Sequence, residues 1–114
     1  MIRIELFFSG AEISGFRIQG HAQAAPHGED MVCAGVSAVA QAALLGLDAF
    51  LPGGFGWEIK KDGFMECFLH KNLTAEEQKA SGIILETMMR GLRSIQESYG
   101  EYVSVMDRRC AEDV

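Results

Sequence analysis

Apolar and polar residues alternate in two short stretches near the start of the chain, Arg3 to Phe8 and Ile13 to Gln19. A period of two places alternate side chains on opposite faces of a strand. Ile4, Leu6 and Phe8 share one face, and Phe16 and Ile18 repeat at the same spacing. Ser9-Gly10-Ala11-Glu12 between them is a turn sequence, so the pair reads as a β-hairpin, with room for a bulge in its short connection. Two more extended segments, Phe55 to Lys60 and Phe64 to His70, flank Lys61-Asp62-Gly63, and Asp-Gly is a strong hairpin signal. A last strand, Tyr102 to Met106, precedes a polar tail from Asp107 to Val114.

Between these segments the period lengthens to three and four. Val32, Val36, Val39, Ala43 and Leu47 form one helical stripe, and Cys33, Ser37, Ala40 and Leu44 form an adjoining one. Asp30 or Glu29 starts this helix. With Asp30 as N-cap, Cys33 is the third helical residue, and its backbone N–H donates to the aspartate. Gly35 lies in the opening turns, where it lowers helix propensity but permits close backbone approach, for packing or for substrate access. The second helix begins at Thr74, with Glu77 completing a capping box. It buries Ile84, Met88, Leu92 and Ile95, widened by Leu85 and Met89, and stops at Gly100. The order predicts an α/β two-layer sandwich, a mixed or mainly antiparallel sheet with two long helices on one face. The 114 residues suit a single domain, 1–114.

Charge narrows the partners. A formal net charge of -6 disfavours direct nucleic acid binding, whereas basic protein partners fit it. Cys33, Cys67 and Cys110 contain no CxxC pair, and the opening residues lack the basic-then-apolar layout of a signal peptide, which predicts a reducing, cytoplasmic setting. Ala34 to Leu47, interrupted by Gln41 and followed by Asp48, falls short of a membrane span, so no membrane partner is expected. No cofactor is implied. Metal is not expected either, because the scattered cysteines and histidines lack paired ligand spacing.

Cys33 carries the most chemical information. Near a helix start, unpaired N–H groups and the positive dipole end favour a thiolate. His21, twelve residues earlier at a strand end, is placed to accept the thiol proton. The same cysteine in an apolar helix is otherwise ordinary packing. Ala22 to Gly28, with Pro26 and Gly28, reads as a loop, either a closing active-site loop or a surface connection. His27 is a weaker base candidate. His70 ends a strand or faces solvent, Cys67 alternates with Met65 and Leu69 on a strand face, and Cys110 lies in the tail.

Gly20-His21-Ala22, the run Gly28-Glu29-Asp30-Met31-Val32-Cys33-Ala34-Gly35-Val36-Ser37-Ala38, Leu85 to Leu92 and Tyr99-Gly100-Glu101-Tyr102-Val103 together resemble the bacterial ribosomal-processing cysteine protease family. The resemblance spans nearly the whole chain. It implies a homodimeric cysteine endopeptidase that removes a short N-terminal extension from a large-subunit ribosomal protein precursor, cutting after an aromatic residue. It places the nucleophile at Cys33, the base at His21 and an acidic neighbour at Asp30. Gly35 departs from the family's usual alanine, which bears on helix stability or pocket width.

The implied chemistry is peptide hydrolysis through an acyl-thioester, with helix-start N–H groups as candidate oxyanion donors. Asp30 either caps the helix or orients His21. An aromatic substrate residue needs an apolar recess, for which Phe7, Phe8, Phe16, Met31 and Val32 are the candidate lining residues. Two other classes stand beside the peptidase. One is a non-catalytic ribosome-assembly protein-binding module, against which intact Cys33 and His21 speak. The other is a thiol-redox protein, which lacks a resolving cysteine near Cys33.

Overall fold

The structure, a computed structural model, describes residues 1–20, 27–61 and 63–109, with residues 27–30 described by backbone only. The elements run β1 (Ile2–Ser9), β2 (Glu12–Gln19), α1 (His27–Phe50), β3 (Phe55–Lys60), β4 (Phe64–Leu69), α2 (Ala75–Ser98) and β5 (Val103–Arg109). The strands form one sheet in the order β3-β4-β2-β1-β5. Neighbours are antiparallel except β1 and β5, which are parallel, so the sheet is mixed and mainly antiparallel as the pattern predicts.

The first hairpin turns at Gly10, whose φ of 64° suits glycine. Its pairing slips by one residue between Phe7 and Phe8, because Phe7 faces Gly15 whereas Phe8 faces Ile13. Ser14 is the extra residue of this bulge, and its hydroxyl donates to the Phe7 carbonyl at 3.2 Å. The insertion resets the alternation of β2. Ile13, Phe16 and Ile18 therefore all reach the core despite their uneven spacing, opposite Ile4, Leu6 and Phe8.

Both helices cover this face. Val32, Val36, Ala40, Ala43, Leu44 and Leu47 of α1 are buried, as are Ser81, Leu85, Met88 and Leu92 of α2. The helices meet along an antiparallel seam of unequal partners. A Cβ at Gly46 would lie 3.4 Å from Ile84, at Gly91 3.3 Å from Val39, and at Gly35 3.9 Å from Ile95. Each crossing thus sets a glycine against a branched side chain. Val39, Ile84 and Ile95 are consequently half-buried between the helices rather than sealed against the sheet. The Thr74 capping box forms as expected, with Glu77 N–H donating to Oγ1 and Thr74 N–H to the glutamate.

Three boundaries differ from the sequence reading. α1 opens at His27, ahead of Glu29 and Asp30, so Asp30 is its fourth residue and not its N-cap. β5 continues through Asp107, Arg108 and Arg109, which the polar composition assigns to a tail. Pairing with β1 extends the strand, and its charges find partners: Asp107 with Arg93 at 2.7 Å, Arg108 with Glu5 at 3.0 Å, and Arg109 stacked 4.2 Å above Phe8. The apolar part of α1 is also longer than Ala34 to Leu47. Met31–Phe50 is long and apolar enough to cross a membrane by length and composition. Here its inner ridge packs on the sheet and α2 as a core helix.

The opposite sheet face is open. Phe68, Gly15 and Phe7 stand side by side across β4, β2 and β1, with the two rings 5.2 Å apart. A Cβ at Gly15 would come within 2.5 Å of both the Cys67 carbonyl and the Phe68 ring, whereas one at Gly56, in the same row, meets nothing. Gly15→Ala is therefore expected to destabilise the fold by about 1–3 kcal/mol through overpacking, and Gly56→Ala to stay within about 0.5 kcal/mol. Urea unfolding of the two variants checks this; equal midpoints would contradict it.

Candidate active site

α1 crosses the helix-covered sheet face with its N-terminal part over the ends of β1 and β2. Cys33 is the seventh residue of the helix. Val32 and Val36 beside it are sealed in the core, while Cys33 itself is half-buried. It is a thiol rather than half of a disulfide. It shares a shallow recess of about 30 Å³ with Ile2, Ile18, Val36, Ser37 and Gly63. A helical side chain leans toward the N-terminus, which carries Sγ back over the preceding turn.

The extra turn of α1 changes the electrostatic reading of Cys33. The unpaired N–H groups of a helix lie in its first turn, and the dipole's influence falls off over the same distance. As seventh residue, Cys33 has its own N–H inside the i−4 ladder. The helix-start amides expected as oxyanion donors belong instead to the turn that holds Asp30. Capping by Asp30 is excluded by its position, whereas a carboxylate in the first turn still complements the dipole.

Gly20 closes β2 immediately before His21. Its φ is 95°, and a Cβ there would collide with the Met1 carbonyl oxygen. Only glycine meets both conditions, so the backbone geometry itself demands glycine at position 20. His21 itself lies outside the described residues, as do Ala22 to Pro26 of the expected loop and Cys110. His27 and Gly28, assigned to that loop from sequence, begin α1 instead.

The five recess candidates do not converge on Cys33. Phe7 is on the open sheet face against Phe68. Phe8 and Phe16 are buried in the core, and Phe8 stands at the far end of β1. Val32 is buried, and Met31 is 64% exposed. The apolar residues that do flank the thiol are Ile2 and Ile18. Ile18 was legible in principle, being three residues before His21 on an inward strand face. Ile2 needed the pairing of β1 with β2, which sets the two strand ends side by side. Gly35 faces Ile95 of α2, so its departure from alanine concerns the helix seam rather than the recess.

Cys67 and His70 fall where the alternation puts them, Cys67 fully buried and His70 exposed beyond the end of β4. Burial pushes the Cys67 thiol up to about 12. Among the described residues no three histidine, cysteine or acidic side chains gather as a metal site would require.

A half-exposed thiol on a core helix of a small α/β domain fits a cysteine hydrolase, the class to which the family match assigns the chain. The second described thiol, Cys67, is sealed in the core and makes no redox partner. The chain belongs to the cysteine protease Prp family, whose profile matches residues 1–104. It is 34% identical over 97 residues to the ribosomal processing cysteine protease Prp of Bacillus subtilis (strain 168), covering 82% of this chain and 84% of that protein. Two solved structures share the fold. SMU.848 from Streptococcus mutans superposes with a TM-score of 0.81 at 20% identity, covering 96% of each chain. The essential ribosomal processing protease Prp from S. aureus, in complex with a substrate peptide, gives 0.81 at 21% identity, covering 95% of this chain and 100% of that one.

The two described thiols differ enough to be told apart chemically. In a Cys110→Ser background, iodoacetamide at neutral pH is expected to label Cys33 in the folded protein and to reach Cys67 only after unfolding. Peptide mapping reads this; early labelling of Cys67 would contradict its burial. Because the folded Cys67 pKa lies above the ordinary 9.0, the unfolded chain loses this proton first. Stability linked to Cys67 is therefore fully present below pH 9 and declines as pH rises toward about 12.

Proposed function

We propose that this protein removes a short N-terminal extension from a large-subunit ribosomal protein precursor in the bacterial cytoplasm, cutting after an aromatic residue. The observation that carries the reading is the half-exposed Cys33 over the sheet end where β2 runs through an obligatory glycine into His21, in a chain whose family is that of cysteine protease Prp. The Bacillus subtilis relative, named as a ribosomal processing protease, supports the substrate class.

In this mechanism His21 takes the Cys33 proton and the thiolate attacks the scissile carbonyl carbon. The tetrahedral intermediate collapses with rupture of the C–N bond, and imidazolium returns its proton to the departing amine. The extension remains as a thioester on Cys33. Water, deprotonated by His21, adds to the thioester carbonyl and expels the Cys33 sulfur, freeing the extension as a carboxylate. Asp30, one turn before the nucleophile, orients His21. The homodimer belongs to the same reading and is supported by the family resemblance.

Cys33→Ala is expected to lower precursor cleavage by about 10³-fold or more while preserving the fold. His21→Ala should remove most turnover, and the parent protein should show a pH optimum, since one group works ionised and the other protonated. Mass spectrometry of the precursor after incubation reads the cut. A folded Cys33→Ala protein that cleaves at the parent rate would overturn the assignment, and an uncut precursor with the parent protein would favour a non-catalytic assembly module.

Specificity follows from burial of the aromatic ring before the scissile bond, which contributes roughly 1.5–3 kcal/mol. Replacing that residue by alanine in the substrate should reduce kcat/KM at least about tenfold. Equal efficiencies at subsaturating substrate would remove the aromatic preference and leave the nucleophile in place.

A further inference from the structure

β3 is an outer strand of the sheet, with β4 on its inner side. Its pairing decides which of its backbone groups are used. The His70 N–H donates to the Gly54 carbonyl at 2.9 Å, so Gly54 and His70 are a hydrogen-bonded pair at the head of the antiparallel register that runs from Phe55–Leu69 to Lys60–Phe64. Such pairs alternate along a ladder. Gly56, Glu58 and Lys60 therefore turn their N–H and C=O groups toward β4, and Phe55, Trp57 and Ile59 turn theirs outward, where no other described strand meets them. Edge strands are commonly blunted by a bulge, a proline or an inward-pointing charge. β3 has none of these: its register is continuous, its charges Glu58 and Lys60 stand on the open sheet face, and its side toward α1 carries Phe55, Trp57 and Ile59. Trp57 is 61% exposed and Ile59 48%, and Leu45 of α1, 72% exposed, lines the same groove of about 290 Å³.

The order of residues along β3 is self-complementary. An antiparallel copy of the strand, related by a two-fold axis at Trp57, sets Trp57 opposite Trp57 of the second copy, Phe55 opposite Ile59, and Gly56 opposite Glu58. All three outward residues then meet outward residues, as aromatic and β-branched cross-strand pairs of the stabilising kind. An axis at Gly56 or at Glu58 leaves one of the three without such a partner, and at Glu58 it also sets like charges face to face. Glycine weakens a strand interior and commonly marks the close approach of another chain. A Cβ at Gly56 would meet nothing within its own chain, whereas the register about Trp57 places the Glu58 side chain of the second copy across from it.

We propose that β3 pairs with β3 of a second copy of this chain, antiparallel about Trp57, so that the two sheets become one continuous sheet. The grooves beside α1 meet across the axis, and Leu45, Trp57 and Ile59 of both copies cover one another. The contact is isologous, the form that closes at two copies. The inference gives the homodimer of the reading above its interface, rests on that reading only for the number of copies, and is tested without cleavage.

Cross-linking reads the register. A Cys33→Ser, Cys110→Ser background leaves buried Cys67 as the only native thiol. In it, Trp57→Cys is expected to form a disulfide-linked dimer under mild oxidation, because directly opposed residues of a hydrogen-bonded pair have Cα atoms about 5.5 Å apart, within disulfide reach. Ile83→Cys, at a comparably exposed position on α2, should link at least about tenfold more slowly. By light scattering the parent protein is expected to be a dimer. Trp57→Lys, which puts a charge on the inward side of the edge, should be a monomer with parent-like circular dichroism. If that variant does not fold, the two cysteine variants carry the test. A monomeric parent, a folded Trp57→Lys protein that stays dimeric, or Ile83→Cys linking as fast as Trp57→Cys overturns the assignment. Each of these leaves the peptidase reading standing, since precursor cleavage alone decides it.

Discussion

The close antiparallel seam between α1 and α2 is the constraint on which the remaining structure depends. Gly91 sits closely against Val39, where a Cβ would have to push its neighbour aside, and Gly46 and Gly35 lie against Ile84 and Ile95, so the two helices pack side by side over one sheet face. This seam fixes the rotation of α1 about its axis. Val32 and Val36 then point into the core, and Cys33, between them in sequence, is left half-exposed at the sheet end. A rotation that buried Cys33 would bring the valines to the surface, and fully burying one such side chain is worth about 1.5–3 kcal/mol. Cys33 is thus placed by the packing of its helix neighbours, a rigid placement of the kind that the proposed reacting group requires.

The open sheet face keeps a second, polar account of stability. Arg17 lies 2.7 Å from Glu66 and 3.5 Å from Glu5, above the Phe7 ring, and Glu5 also meets Arg108. The hydrogen bond to Glu66 holds the Arg17 guanidinium above its ordinary basicity. These charges join β4, β2, β1 and β5 across one row. At the exposed edge of β5, Gln96 of α2 accepts the Val105 N–H, which ties the last strand to the helix before it. The C-terminal strand is thereby secured from both layers, with Val103 buried and Val105 packed against the core.

Much of this was legible in the chain because local pattern and tertiary environment agree. The Thr74–Glu77 capping box needs only four residues to specify, and the alternation of Ile4, Leu6 and Phe8 survives folding unchanged. Where the pattern misled, distant partners decided. Arg108 and Arg109 look like tail residues until β1 pairs with them and Glu5 and Phe8 engage their charges. Phe7, Phe8 and Phe16 are equally apolar on paper, yet Phe7 lies on the open face and the other two fill the core, because Phe7 and Phe8 alternate across β1 and the bulge at Ser14 lets both Ile13 and Phe16 of β2 face inward. Cys33 and His21 were recognisable from their motif and from the family it resembles. The flanking Ile2 and Ile18, and the exposed Trp57 opposite Leu45, required strand order, which no local spacing encodes.

The central claim is that Cys33, fixed by the α1 seam, is the group that attacks the substrate. The most direct measurement is stoichiometric inactivation by a peptide chloromethyl ketone that ends at the residue before the scissile bond, followed by peptide mapping. The account predicts one equivalent bound, located on Cys33, with loss of cleavage in step with labelling and no labelling of Cys67 in the folded protein. Full cleavage activity after Cys33 is modified, or inactivation with the label on another residue, would contradict it.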